Sequence, residues 1–347
     1  VREAYVLTLL AVLAWTTGPV GSKAALLASG RGPALTPLQV AFWAIGIGWL
    51  ALLGYLAVRR RLGLLAGVTG RGWLVLVGMG LFGWVGYPVA INHAYTRLPL
   101  SDALIISYVN PVLVTVLQAG WFGRLVRLVS GWEQEPDKQP QVQPALVAAG
   151  LALCLLGVAV TATQGHLGAL GRLHLGAGAL AALFAALSWA VYSNLGRFVP
   201  MRPGYGARRL GDVQNFAAMS CGLLAMGAML GASGQWHFPG GYQVVLHLGS
   251  WGAARVEVWA VILVMGVINY CVGYPLWLQA LELGAHAGGA HKLPPLNYLL
   301  LITSIGLGWL VLRQPCGEGF WQGGVLILAG NALTMWPGRR ASGYIRE

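Results

Sequence analysis

Few residues of this 347-residue chain carry side chains equipped for chemistry, and most of those stand inside apolar runs. Lys292 is the sharpest case. An ammonium group near the bilayer centre costs at least about 2.5 kcal/mol, so it needs a wet cavity or a partner. Two readings of it stand. Either it meets the carboxylate, phosphate or other anionic part of a solute, or its segment starts later and the side chain snorkels to the interface. His93 and His291 carry imidazoles that titrate near neutral pH, and they are the candidates for proton coupling. Asn92, Asn110, Asn269 and Asn297 are amides at similar depth, and amides in lipid either bind a ligand or join helices. Gln279 matches His93 in position, each being followed by Ala. Setting Pro111 against Pro295 places Ser107 opposite His291 and Tyr108 opposite Lys292.

Catalysis has little to stand on. Gly78, Gly80 and Gly83 spell a dinucleotide fingerprint by letter, but that loop needs a strand before it and a helix after it. Here the run is apolar throughout, and small residues in such a run allow close packing. Glu282, His286 and His291 have partly metal-like spacing, with Gly284, Gly288 and Gly289 loosening the region. Cys154, Cys221, Cys271 and Cys316 lie far apart and show no metal spacing. Asp102 reads as a carboxylate at a helix N-terminus, where the dipole favours it, rather than as a proton relay. No catalytic residue, no metal site and no cofactor is expected, and the chain is read as a non-enzyme.

These residues must be positioned by membrane helices. The chain is 57% apolar and 9% charged, whereas a soluble domain carries about 25% charged residues. Runs of about 18 or more apolar residues can cross a hydrocarbon layer of roughly 30 Å. In lipid their backbone amides must pair internally, which makes such runs helices. Ten spans are predicted, roughly 4–28, 37–58, 73–96, 100–121, 145–163, 175–198, 212–231, 257–282, 285–312 and 320–337. The connectors at 122–144 and 232–256 are expected to rest on opposite membrane surfaces. The net charge of +12 sits in short connectors, as the positive-inside rule requires, so no nucleic-acid partner is expected. Fifteen Lys and Arg fall on the side of the N-terminus and six on the other, which predicts both termini in the cytoplasm.

The sequence also repeats. Gly86-Tyr87-Pro88 returns as Gly273-Tyr274-Pro275, and the Trp15/Lys23 pair returns as Trp189/Arg197. Each return comes half a chain later, with a small insertion in the first half. Five spans per half force the halves to enter the membrane in opposite directions. The expected fold is an all-α membrane protein, ten transmembrane helices arranged as an inverted 5+5 repeat around a central cavity, with repeats at 1–168 and 169–347. Pro19, Pro88, Pro111, Pro275 and Pro295 interrupt their spans as related pairs, which points to hinges beside a midplane site.

The pattern resembles the EamA-type drug/metabolite transporter superfamily. The resemblance rests on the five-plus-five spans, the Trp and following basic residue in spans 1 and 6, the mid-helix Pro of span 4, and the final span Phe320-Trp321-Gln322-Gly323-Gly324-Val325-Leu326-Ile327-Leu328-Ala329-Gly330. Phe320-Trp321-Gln322-Gly323 and Tyr108-Val109-Asn110-Pro111 resemble the bacterial amino-acid exporter branch. A Gly-Glu pair frequent in the family is replaced here by Phe122-Gly123-Arg124 and Arg313-Gln314-Pro315, and the acid of span 1 in small multidrug exporters is absent at Ala14-Trp15-Thr16. The resemblance implies that spans 1, 3, 4, 6, 8 and 9 surround the cavity. It adds Trp15, Trp189 and Tyr192 to a substrate-binding set of Tyr87, Asn92, His93, Ser107, Tyr108, Asn110, Tyr274, Gln279, His291, Lys292 and Asn297.

The expected function is therefore secondary transport, outward, of small organic solutes such as amino acids or related metabolites, by alternating access. A passive channel or an integral-membrane enzyme using the same cavity is the alternative. The expected partners are the small-molecule substrate and the lipid bilayer, the expected state a monomer or weak homodimer, and the expected location the bacterial inner membrane.

Overall fold

The computed structural model describes residues 2–30, 34–119, 144–166, 176–196, 211–236, 241–247, 253–286 and 298–334, together with residues 128, 199, 200, 202 and 296. The described helices are α1 (Arg2–Leu26), α2 (Pro37–Val58), α3 (Gly70–Met79), α4 (Tyr87–Arg97), α5 (Leu100–Ser107), α6 (Asn110–Ala119), α7 (Pro144–Ala162), α8 (Ala177–Leu195), α9 (Gly211–Ala232), α10 (Val258–Val264), α11 (Tyr274–His286), α12 (Tyr298–Leu312) and α13 (Phe320–Thr334). Among the described residues, seven helical runs are long and apolar enough to cross a membrane, and three more are shorter and apolar. The chain is an all-α membrane protein in its spans.

Two stretches depart from α geometry. A π-helix, Gly80–Gly86, joins α3 to α4, and a second, Met265–Gly273, joins α10 to α11. Each ends just before a Tyr-Pro pair. Proline lacks an N–H and crowds the carbonyl four residues back. The wider turn relieves that crowding, and Tyr87 N–H reaches Phe82 O, five residues back. Pro111 acts differently. The span expected to be continuous over 100–121 breaks at Tyr108 and Val109, leaving α5 and α6 as separate helices. Pro19 is absorbed inside an unbroken α1.

Connector contacts fix the helix directions. At the end where α1 starts, Arg61 pairs with Asp212 at 2.6 Å and Arg202 N–H donates to Gly67 O at 2.8 Å. At the opposite end, Lys23 meets the end of α4, Gln164 meets Asp102, and Gln39 donates to Gln235 O. Consecutive crossings therefore alternate in direction. The connector at 232–256, expected to rest on a membrane surface, forms strands β2 (Tyr242–His247) and β3 (Ala253–Glu257). These pair antiparallel with each other, and β2 pairs antiparallel with β1 (Ser29–Gly30). Side chains alternate between the faces of a strand, and Tyr242 and Val244 are the buried members of β2.

Helix contacts recur in pairs. A Cβ added to Gly48 of α2 would stand 2.5 Å from Tyr270 Cβ and 2.9 Å from Gly266 O. One added to Gly222 of α9 would stand 2.6 Å from Trp84 Cβ and 3.1 Å from Gly80 O. The two sets occupy matching places in the two halves of the chain. Between α7 and α13, Gly157 meets Gly323 O and Ile327, while Gly330 meets Gly150 O and Cys154, so this contact also reads the same from either half. Each π-helix thus lies against the second helix of the other half, close enough that only glycine fits.

Candidate substrate cavity

A cavity of about 560 Å³ lies between these helices. The helical repeat decides which side chains reach it. From α1 come Trp15, Gly18, Pro19 and Ser22. From α4 come Pro88, Ile91, Asn92 and Tyr95. From the α5–α6 break come Ser107, Asn110, Pro111 and Val114. Each set follows the i, i+3, i+4, i+7 stripe of one helix face. Tyr87, Tyr108, Trp84 and Trp189 add their rings, and from the second π-helix and α11 come Met265, Asn269, Tyr270, Tyr274 and Trp277.

The rings form a connected belt. Tyr87 lies 5.0 Å from Trp189, and Tyr274 lies 5.4 Å from Trp15. The tyrosine after each π-helix therefore touches the tryptophan of the first helix in the opposite half. Trp84 joins the two pairs through Tyr274 at 5.4 Å and Tyr192 at 6.3 Å. Tilted and edge-on contacts at these separations are favourable for aromatic quadrupoles.

The polar groups are neutral. Asn92 Nδ2 donates to Pro37 O at 3.2 Å, which ties α4 to the start of α2. Ser107 and Ser193 donate to carbonyls of their own helices, Leu104 and Trp189. Ser22 Oγ lies 3.4 Å from Met265 Sδ. Among the described lining residues none is Asp, Glu, Lys, Arg or His.

The expected binding residues divide accordingly. Trp15, Tyr87, Asn92, Ser107, Tyr108, Asn110, Trp189 and Tyr274 line the cavity, as do Pro19, Pro88 and Pro111. Tyr192 stands behind Trp189, and its hydroxyl is bonded to Asn215. His93 falls off the α4 stripe and lies 3.3 Å from Arg97 Nη1. Gln279 is exposed and also falls off the stripe of α11, while Pro275 is outside the lining. At about 100° per residue His93 points about 140° away from Pro88, off the face that Pro88, Ile91, Asn92 and Tyr95 share. His291, Lys292, Pro295 and Asn297 lie outside the described residues, and the side chains of Glu282 and His286 are likewise outside them. Trp84, Tyr95, Tyr270 and Trp277 are lining residues that sequence reasoning missed. Trp84 and Tyr270 sit three and four residues before the two repeated Tyr-Pro pairs, and that position was the available signal.

The family model that matches residues 2–131 is that of the EamA-like transporter family. The likeness to a transporter family concerns that stretch of the chain, and the long apolar helices fit an integral membrane protein. The EamA-like stretch runs from α1 through α6. It includes the first π-helix and the cavity residues Trp15, Tyr87, Asn92, Ser107, Tyr108 and Asn110. A solved structure described as "Crystal structure of protein" is similar at 18% identity and a TM-score of 0.50, covering 96% of this chain and 96% of that one. At that identity the likeness concerns the fold. Curated protein sequences give no match.

Proposed function

We propose that this EamA-like chain is a secondary transporter that exports a small organic solute, of the size and kind of amino acids and related metabolites, by alternating access. The observation that carries the reading is the cavity of about 560 Å³ walled by helices of both halves, where each Tyr-Pro site meets the opposite tryptophan. Residues 1–168 and 169–347 act as two inverted five-helix repeats, and the paired contacts at Gly48/Gly222 and Gly157/Gly330 support that division. Inverted repeats that rock about a shared midplane site give alternating access. Pro88 and Pro275, each two residues past the end of a π-helix, serve as the hinges. Trp15, Tyr87, Asn92, Ser107, Tyr108, Asn110, Trp189 and Tyr274 form the binding set. The protein works in a bacterial inner membrane with both termini cytoplasmic and without catalytic chemistry of its own.

Counterflow into proteoliposomes tests this. Purified protein reconstituted with an internal amino-acid or metabolite pool should give saturable uptake of the labelled solute, accelerated by the internal pool. Flux that does not saturate would assign a pore instead. Chemical conversion of the solute would assign an enzyme.

A further inference from the structure

The cavity wall is unusual in what it is made of. Nine of its described lining residues are aromatic, four tryptophans and five tyrosines, while the neighbouring core is built largely from Ala, Leu, Ile and Val. Packing alone is served by aliphatic side chains, as that core shows. Seven of these rings touch another of the set at 5.0 to 6.2 Å, which fixes their orientations before a solute arrives. Fixed ring faces and edges suit a flat π system, and they suit it regardless of its detailed identity.

The amides add an edge reader. Asn110 lines the cavity and has no hydrogen-bond partner among the described residues. Asn92 spends one N–H on Pro37 O and keeps its oxygen and second N–H. A carboxamide presents a donor beside an acceptor and pairs with a solute edge that does the same: a lactam, a carboxamide, or a ring nitrogen next to an amino group.

We infer that the cavity selects a flat heteroaromatic solute, with its face against the Trp15/Tyr274 and Tyr87/Trp189 rings and its donor–acceptor edge on Asn110 and Asn92. This rests on the carrier reading of the cavity and narrows its substrate class. Asn110 is the specificity-determining residue because its amide has no hydrogen-bond partner among the described residues. Asn92 is shared between solute and α2.

Calorimetric titration of the purified protein with four probes tests the inference. Nicotinamide and adenine are flat, neutral and carry the required edge. Cyclohexanecarboxamide keeps the amide and loses the flat ring, and nicotinate keeps the ring and loses the donor beside the acceptor. Nicotinamide and adenine should bind at least about tenfold more tightly than cyclohexanecarboxamide, and nicotinamide more tightly than nicotinate. Asn110→Ala should weaken both flat neutral probes about tenfold with an unchanged melting temperature, and Asn110→Gln should recover part of the loss. Equal affinity for the saturated probe, tighter binding of nicotinate, or no binding of either flat neutral probe overturns the inference. If Asn110→Ala does not fold, the four-probe comparison on the unaltered protein decides alone. Counterflow separates the two readings. Binding of the flat probes without flux removes the carrier and keeps the selectivity, whereas equal flux of the saturated amide keeps the carrier and removes the selectivity.

Discussion

Lys23 shows how a charge is accommodated in this molecule. It is 6% exposed, and its ammonium donates to the carbonyls of Tyr95 and, at 3.0 Å, Leu98. No carboxylate pairs with it among the described residues. Those two carbonyls stand at the end of α4, where the helix dipole is negative and the last turn leaves acceptors unfilled. A helix terminus thus takes the place of an acid. Lys23→Met keeps the length of the side chain and removes the donor, leaving two buried acceptors unmatched. Hydrogen bonds to charged groups contribute about 1.5–3 kcal/mol, so a stability loss of that order is expected, read as a lower melting temperature in detergent. An unchanged melting temperature would mean the bonds contribute nothing. The sequence placed Lys23 correctly at the far end of the first span, but only as one of the connector charges. Its burial depends on α4, which arrives only after the whole of α2 and α3 has intervened, and no local pattern reports that. Asp102 was more legible. It lies in the first turn of α5 as a helix-start carboxylate should, and it is further held by Gln164 Nε2 at 2.8 Å and Ser101 Oγ at 3.1 Å.

At the scale of elements, glycine marks where helices touch and where they face lipid. Gly80 ends against Ala218 O, where a Cβ would stand 2.7 Å away, and against Cys221 Cβ at 2.8 Å. Gly54 of α2 has no atom within 4 Å of its would-be Cβ. Gly80→Ala must push the π-helix off α9, and overpacking of this kind costs about 1–3 kcal/mol. Gly54→Ala only removes backbone freedom inside a helix and should stabilise by about 0.5–1 kcal/mol. The melting temperatures of the two variants should therefore move in opposite directions, and a shared direction would contradict the packing described. Apolar runs made the helices readable, because length and composition suffice to place a membrane span. The Gly-Tyr-Pro repeats were readable too, and in both the Tyr-Pro pair follows a π-helix. The π-helices themselves were not, since a wider turn of a few residues leaves no mark on a sequence in which nearly every position is apolar. The β2–β3 hairpin was also missed. Its strands are six and five residues long, and its Gly- and aromatic-rich composition equally suits an interfacial loop.

At the scale of the whole molecule, the proposed orientation, with both termini cytoplasmic, puts the connector between α12 and α13 outside the cell. That connector holds Cys316, the one described cysteine that is not inside a helix, since Cys154 belongs to α7, Cys221 to α9 and Cys271 to the second π-helix. Cys316 can report both side and environment. Burial raises its thiol pKa first, and the nearby Asp102 carboxylate raises it further. The thiolate is the reactive form, so a raised pKa leaves less of it at neutral pH. A membrane-impermeant maleimide added to intact cells should label Cys316 slowly, and the rate should keep climbing as pH rises beyond the range where an ordinary thiol has finished titrating. Cys316→Ser should abolish the labelling. Asp102→Asn removes the second cause and leaves the first, so at a fixed neutral pH it should speed the reaction without bringing it to the rate of a free thiol. Labelling that appears only after the cells are opened would invert the orientation and place both termini outside. Labelling from outside that is fast at neutral pH and indifferent to Asp102→Asn would leave the orientation standing but detach the α12–α13 connector from the start of α5, and with it the contacts that close this end of the helix bundle.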